Sequence, residues 1–298
     1  MFGDDFKEAK KFMGNIVNNI STGISTGISS IAEGKKIGFI GAGNMANAIV
    51  KGLLNAGKLV GEIYVYDCNV RQLKKMADMG VNIMYMSEEL VEKCDIIVLA
   101  VKPQNYDEVL EEIKGSVTDK KVFVTIAAGI SIEYVRKGLG VECPMVRVMP
   151  NTPLLLGKGA TAMCRSDNIS DEDFEEVYDM FANSGEVAVI NEEQMNAVIA
   201  VNGSSPAYVY LFAKAMIDYA VSVGIDSDVA LNLVSKTFEG SAAMLRSSGN
   251  TPDELIEKVC SKGGTTIEAV KVFNDNNVSQ IIADAMAACT KKAEELGK

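Results

Sequence analysis

The sequence predicts an α/β fold: an N-terminal doubly wound parallel sheet, followed by an all-α domain. Three observations predict it. Short apolar runs alternate with amphipathic helical patterns from Lys36 to about Ile190, as parallel β-α-β crossovers require. The first run, Ile37-Gly38-Phe39-Ile40, passes through Gly41-Ala42-Gly43 straight into a helical pattern. From residue 192 onward the patterns are almost all helical and rich in small residues, a composition that lets helices pack closely and often completes its core with a partner subunit.

A chain of 298 residues accommodates about two domains. Three segments are expected: an extension over 1–33, a dinucleotide-binding domain over 34–190, and a helical dimerisation and substrate domain over 191–298. In the extension, Phe6, Ala9, Met13, Val17 and Ile20 recur at helical spacing. A Ser-Thr-Gly-Ile repeat follows at 21–28, and the segment reads as an appendage to the fold.

Within the first domain the expected strands are 36–41, 62–66, 81–85, 95–100, 121–126 and 145–149. The expected helices are 44–57, 69–79, 87–93, 104–114 and 131–139. On the second helix Val70, Leu73, Met76 and Ala77 share a face, so they read as core. A strand-like Thr161-Ala162-Met163-Cys164, a helix over 171–183 begun by Ser170, and Glu186–Ile190 close the domain. The helical half is expected at 192–201, 206–223, 227–247, 252–260, 264–273 and 278–296.

The glycine turn is the strongest functional signal. Gly41 permits a tight turn, and Gly43 removes the Cβ that would meet a pyrophosphate. Ala46 lets the helix pack on the strand. Backbone N–H groups at Asn44 and Met45 then face an anion. The acid expected some twenty residues on is Asp67, after Ile63-Tyr64-Val65-Tyr66; a carboxylate there accepts a ribose 2′-hydroxyl. Ala100-Val101-Lys102-Pro103-Gln104 follows the fourth strand, at the carboxyl edge where open α/β sheets bind ligands. Ala100, Val101, Lys102 and Pro103 are therefore further candidate cofactor contacts. Arg147-Val148-Met149-Pro150-Asn151-Thr152-Pro153 leaves the sixth strand in the same manner, its two prolines fixing a loop.

Composition narrows the chemistry. A net charge of −11 argues against nucleic acid as partner, and no apolar run is long enough for a membrane span. Six cysteines without a CxxC pair, and no secretory signal, read as reduced and mostly buried thiols of a cytoplasmic protein. Histidine is absent. That removes Ser/His and Cys/His nucleophilic pairs, the usual zinc ligands and imidazole acid–base catalysis, so no metal is expected.

Two stretches of the helical half depart from bundle sequence. Asn202-Gly203-Ser204-Ser205-Pro206-Ala207-Tyr208 opens a helix with small residues and a proline. Cys260-Ser261-Lys262-Gly263-Gly264-Thr265-Thr266 is a second turn into a helix start, with free N–H groups and three hydroxyls. It suits a carboxylate; a glycine-broken helix junction is the plain structural alternative.

Taken together, residues 38–46, 100–104, Arg147 with 149–153, 184–187, 203–208 and 261–266 resemble the pyrroline-5-carboxylate reductases, in the same order along about 35–298. The resemblance implies a Rossmann domain and a helical domain interleaved between two subunits, a homodimer or a ring of dimers. It implies NADPH as cofactor, with NADH possible, and a small-molecule substrate, the cyclic imine Δ1-pyrroline-5-carboxylate, reduced to L-proline. By position it assigns Thr266 to the imine nitrogen and Ser261, Gly264 and Thr265 to the substrate carboxylate.

The chain departs from the family pattern at Lys262, where a proline is usual, at Ser205, where the second glycine is usual, and at Ser87, where many members have asparagine. Asp67 disfavours a 2′-phosphate, while Asn69 and Arg71 stand near enough to serve one. Two other readings compete: a β-hydroxyacid-type dehydrogenase using Lys214, and a non-catalytic dinucleotide-binding regulator on the same scaffold.

Overall fold

The structure is a computed structural model that describes residues 34–297; the expected helix and repeat of 1–33 lie outside the described residues. Eight strands form one sheet in the order β3-β2-β1-β4-β5-β6-β7-β8. They are β1 (Ile37–Ile40), β2 (Ile63–Tyr66), β3 (Asn82–Ile83), β4 (Ile96–Leu99), β5 (Val122–Thr125), β6 (Met145–Met149), β7 (Gly159–Arg165) and β8 (Gly185–Val189). The first six pair in parallel. β7 then runs antiparallel to β6, and β8 follows β7 in parallel. The fold is thus a mostly parallel doubly wound sheet with a reversed edge.

Strand alternation builds two cores. Phe39, Val65, Val98, Val124 and Val148 face one layer, which holds α1 (Asn44–Asn55), α2 (Val70–Ala77) and α6 (Asp171–Ala182). Ile40, Leu99, Phe123, Met145 and Met149 face the other, with α3 (Ser87–Lys93), α4 (Tyr106–Ile113) and α5 (Ile132–Leu139). A sheet covered on both faces needs apolar residues on both, which is why its central strands read as continuous hydrophobic runs.

The strand expected over 81–85 shrinks to two residues. Its pairing is replaced by the Asn82 side chain, whose Nδ2 donates to the carbonyls of Val60, Gly61 and Ile63 at 3.2, 3.2 and 3.1 Å, while Tyr85 and Met86 turn outward.

The helical half comprises α7 (Met195–Val198), a π-turn (Ile199–Gly203), α8 (Ser205–Ser222), α9 (Ser227–Ser247), α10 (Pro252–Val259), α11 (Thr265–Asp275) and α12 (Val278–Leu296). α8 has 18 residues and buries none of them. Tyr210, Leu211 and Tyr219 on it are 61 %, 68 % and 70 % exposed. Beyond its contacts with α9, the described residues leave this apolar helix largely bare. α12 does return to the sheet. Ala293 joins the second core, and the helix packs on α7 and the π-turn. No described helix is long and apolar enough to cross a membrane.

Candidate functional site

The sheet order reverses at β1, so the crevice of an open α/β sheet lies between the carboxyl ends of β1 and β4. The glycine turn stands there. Gly41 has φ +103°, and a Cβ on it would lie 2.7 Å from the Ala100 carbonyl oxygen. Its N–H donates to Tyr66 O at 2.8 Å, and Ala100 N–H donates to Ile40 O at 2.8 Å, so the ends of β2, β1 and β4 meet at this glycine. Gly43 differs. A Cβ built on it meets nothing within 4 Å. It precedes α1 with no side chain capping the helix and no acid in the first turn. Free N–H groups at Asn44 and Met45 beside open space are what a pyrophosphate requires. The residues present therefore fit a dinucleotide.

Asp67 serves the turn itself. Its Oδ2 accepts Ala42 N–H and its Oδ1 accepts Asn69 N–H, both at 2.7 Å. Asn69, which stands near enough to serve a 2′-phosphate, uses its Oδ1 to accept Arg71 N–H and cap α2. The surroundings are acidic. The Tyr66 phenol is pushed up first by burial, then by Glu112, Cys68, Glu88 and Asp67. Ser87 donates to Glu112 at 2.6 Å. Lys102 is exposed, and Pro103 opens a short turn into α4.

Tyr106 and Gly129 escaped the sequence reading, as did the partners of Arg147. Tyr106 is fully buried. Its hydroxyl donates to Leu99 O at 2.9 Å and lies 2.8 Å from Thr125 Oγ1, joining the ends of β4 and β5; burial pushes its pKa up. Gly129 (φ +83°), in the loop after β5, lies where a Cβ would come 2.4 Å from Ala293 O, so the end of α12 rests on that loop. Arg147 is buried. It donates to Asn196 Oδ1 at 2.6 Å and lies 3.6 Å from Glu192, whose carboxylate also accepts Ile132 N–H at 2.8 Å. Burial lowers its pKa and Glu192 opposes that. A hydrophobic-pattern reading cannot find such residues, because each depends on partners distant in sequence.

The second turn is shaped by glycines. Gly263 has φ +74°. Gly264 N–H donates to Ser261 O at 2.9 Å, and Gly264 caps α11 without a side chain. Ser261 and Thr265 are exposed, Thr266 partly so. Among the described residues no hydrogen bond ties this turn to the carboxyl edge of the sheet. The structure thus brings Gly41, Gly43, Asn44, Met45, Asp67 and Ala100 together, and leaves Ser261, Gly264, Thr265 and Thr266 on a surface of the helical half.

Comparison with known proteins accounts for both halves. Residues 192–296 match the family model for pyrroline-5-carboxylate reductase dimerisation, and 36–129 match that of an NADP oxidoreductase, coenzyme F420-dependent. The pyrroline-5-carboxylate reductase of Escherichia coli K12 is 39 % identical over 266 residues, spanning 89 % of this chain and 99 % of its own. The chain belongs to the pyrroline-5-carboxylate reductase family. The Arabidopsis thaliana reductase is 33 % identical over 269 residues, 90 % of this chain and 97 % of that one. The solved structure of the Plasmodium falciparum reductase, with NADP bound, superposes with a TM-score of 0.83 at 32 % identity, covering 89 % of this chain and 99 % of the other.

Seen as a reductase, the chain has no use for Lys214 as a catalytic lysine; it is exposed on α8 and paired with Asp218. The six cysteines are free thiols: Cys94, Cys143 and Cys164 are buried, Cys260 and Cys289 partly so and Cys68 is exposed, so half rather than most of them lie in the core.

Proposed function

We propose that this chain reduces the cyclic imine of Δ1-pyrroline-5-carboxylate to L-proline with NADPH or NADH, the last step of proline biosynthesis. The observation that carries the reading is the pair of glycine turns: one open at Gly43 for a pyrophosphate, the other presenting hydroxyls and N–H groups suited to a small carboxylate.

Gly41, Gly43, Asn44, Met45, Asp67 and residues 100–103 are assigned to the cofactor. When bound, its nicotinamide supplies a hydride to the carbon of the C=N bond. Ser261, Gly264 and Thr265 hold the substrate carboxylate at the start of α11. The Thr266 hydroxyl orients the imine nitrogen and passes a proton to it, directly or through water. Holding the reacting atoms in register is the protein's main contribution.

The chain divides into a dinucleotide-binding part over 34–190 and a helical dimerisation and substrate part over 191–298. It acts as a homodimer or a larger assembly of dimers, the 261–266 turn of one subunit completing the site of the other. The bare apolar surface of α8 supports this. Free thiols support a cytoplasmic location. Incubation with the imine and NADPH, followed by chromatography, tests the reading: L-proline is expected mole for mole with oxidised cofactor. Cofactor oxidation without proline would refute it.

A further inference from the structure

Asn202 sits in the π-turn that leads into α8 and is buried, with 9 % of the residue exposed. Its Nδ2 donates to Met149 O at 2.7 Å and Ala160 O at 2.9 Å. Those carbonyls belong to the last residue of β6 and the second residue of β7. Asn151 answers from the loop between those strands. Its Nδ2 donates to Asn202 O at 3.2 Å, and its Oδ1 accepts Ala160 N–H at 2.9 Å. Two side-chain amides thus bind the exit of β6, the start of β7 and the π-turn to one another.

The backbone explains why a clasp is needed there. In a regular helix Asn202 O would accept the N–H four residues on, but that residue is Pro206, which has none. Asn151 Nδ2 and, at 3.4 Å, Ser205 Oγ fill the gap. The helix meanwhile widens by one residue, Ser204 N–H reaching Ile199 O at 2.8 Å, a distortion found mostly at functional sites. Gly203 is pressed against β6, where a Cβ would come 2.8 Å from Met149 Sδ.

Packing alone does not call for this residue. Among the described residues no donor reaches the buried Asn202 Oδ1, a desolvation cost that an apolar side chain avoids. A costly arrangement kept in a folded chain marks a constraint other than stability.

We propose that Asn202 is a positioning residue. With Asn151 it fixes where residues 203–208 stand against the carboxyl end of β6, on the same edge of the parallel sheet as the glycine turn, and so supports the site from that side. It touches neither cofactor nor substrate. The proposal rests on the reading of the site given above.

Asn202→Leu, which keeps the branched outline of the side chain and removes the clasp, tests it. Steady-state kinetics against imine and cofactor, nucleotide binding, a thermal melt and amide hydrogen exchange are compared with wild type. The expected result is a folded protein with an unchanged Kd for NADPH and kcat/KM for the imine reduced at least tenfold. Exchange at Ser204 and Ser205 should rise at least tenfold while the 41–46 turn stays unaltered. Wild-type imine kinetics in a folded Asn202→Leu protein, or unchanged exchange at Ser204 and Ser205, would overturn it. If that variant does not fold, Asn151→Ala, which breaks the reciprocal half, is held to the same outcomes. The wild-type rate alone judges the proposed substrate, and the exchange comparison judges the clasp whatever the substrate is.

Discussion

The carboxylate of Asp67 accepts the N–H of Ala42 at 2.7 Å, so the acid at the end of β2 and the glycine turn after β1 form one unit. The same carboxylate has lone pairs left for a ribose hydroxyl and a charge that opposes a 2′-phosphate. Asp67→Asn keeps an acceptor and removes the charge. The ratio of kcat/KM for NADPH to that for NADH should rise about tenfold, equivalent to about 1.4 kcal/mol. Initial rates with each nucleotide check this, and an unchanged ratio would mean that Asp67 does not face the 2′-position.

Gly41 and Gly43 should respond in opposite ways. Gly41→Ala places a Cβ 2.7 Å from Ala100 O at φ +103°, and a loss of about 2–4 kcal/mol in a urea melt is expected. Gly43→Val enters open space, so stability should hold while the Kd for NADPH rises steeply.

Loss of the Tyr106 hydroxyl leaves Leu99 O and Thr125 Oγ1 without their shared partner. Tyr106→Phe should cost about 1–2 kcal/mol of stability in the same melt.

Three buried thiols set an alkaline limit. Burial pushes Cys94 and Cys164 up to about 12 and Cys143 up to about 11. A folded-state pKa above the unfolded value of about 8.5 means that stability is full below about pH 8.5 and falls as pH rises toward the folded values. Each thiol removes about 1.4 kcal/mol per pH unit within that window. Urea melts between pH 7 and 10.5 should show the decline, and Cys94→Ala should make it shallower.

The fold and the cofactor turn were legible because each rests on local chemistry. Gly41, Gly43 and Ala46 advertise a strand-turn-helix junction within ten residues, and the runs around Val98 and Val124 announce doubly covered strands. The direction of β7 and β8 was not legible, since apolar patterning carries no strand polarity. Nor were Tyr106, Gly129 and Asn202, whose roles depend on Thr125, Ala293 and Ala160. The sequence predicts one helix over 192–201, but the structure divides it into a short turn (Glu192–Gln194), α7 and the π-turn, since Pro206 offers no N–H to Asn202 O one turn earlier.

A site shared between subunits makes a genetic prediction. Thr266→Ala should lower kcat about 100-fold or more with NADPH affinity unchanged, and Gly43→Val should abolish cofactor use. Co-expressed, the two inactive chains should recover about a quarter of wild-type activity, because half of randomly formed dimers carry one intact site of two. No recovery would place the whole site within one chain.

The most direct measurement is the oxidation of NADPH and NADH at 340 nm by the purified protein, with and without Δ1-pyrroline-5-carboxylate. Rapid oxidation that requires the imine is the predicted result. Tight binding of both nucleotides with no imine-dependent oxidation would contradict the account and favour a dinucleotide-binding regulator.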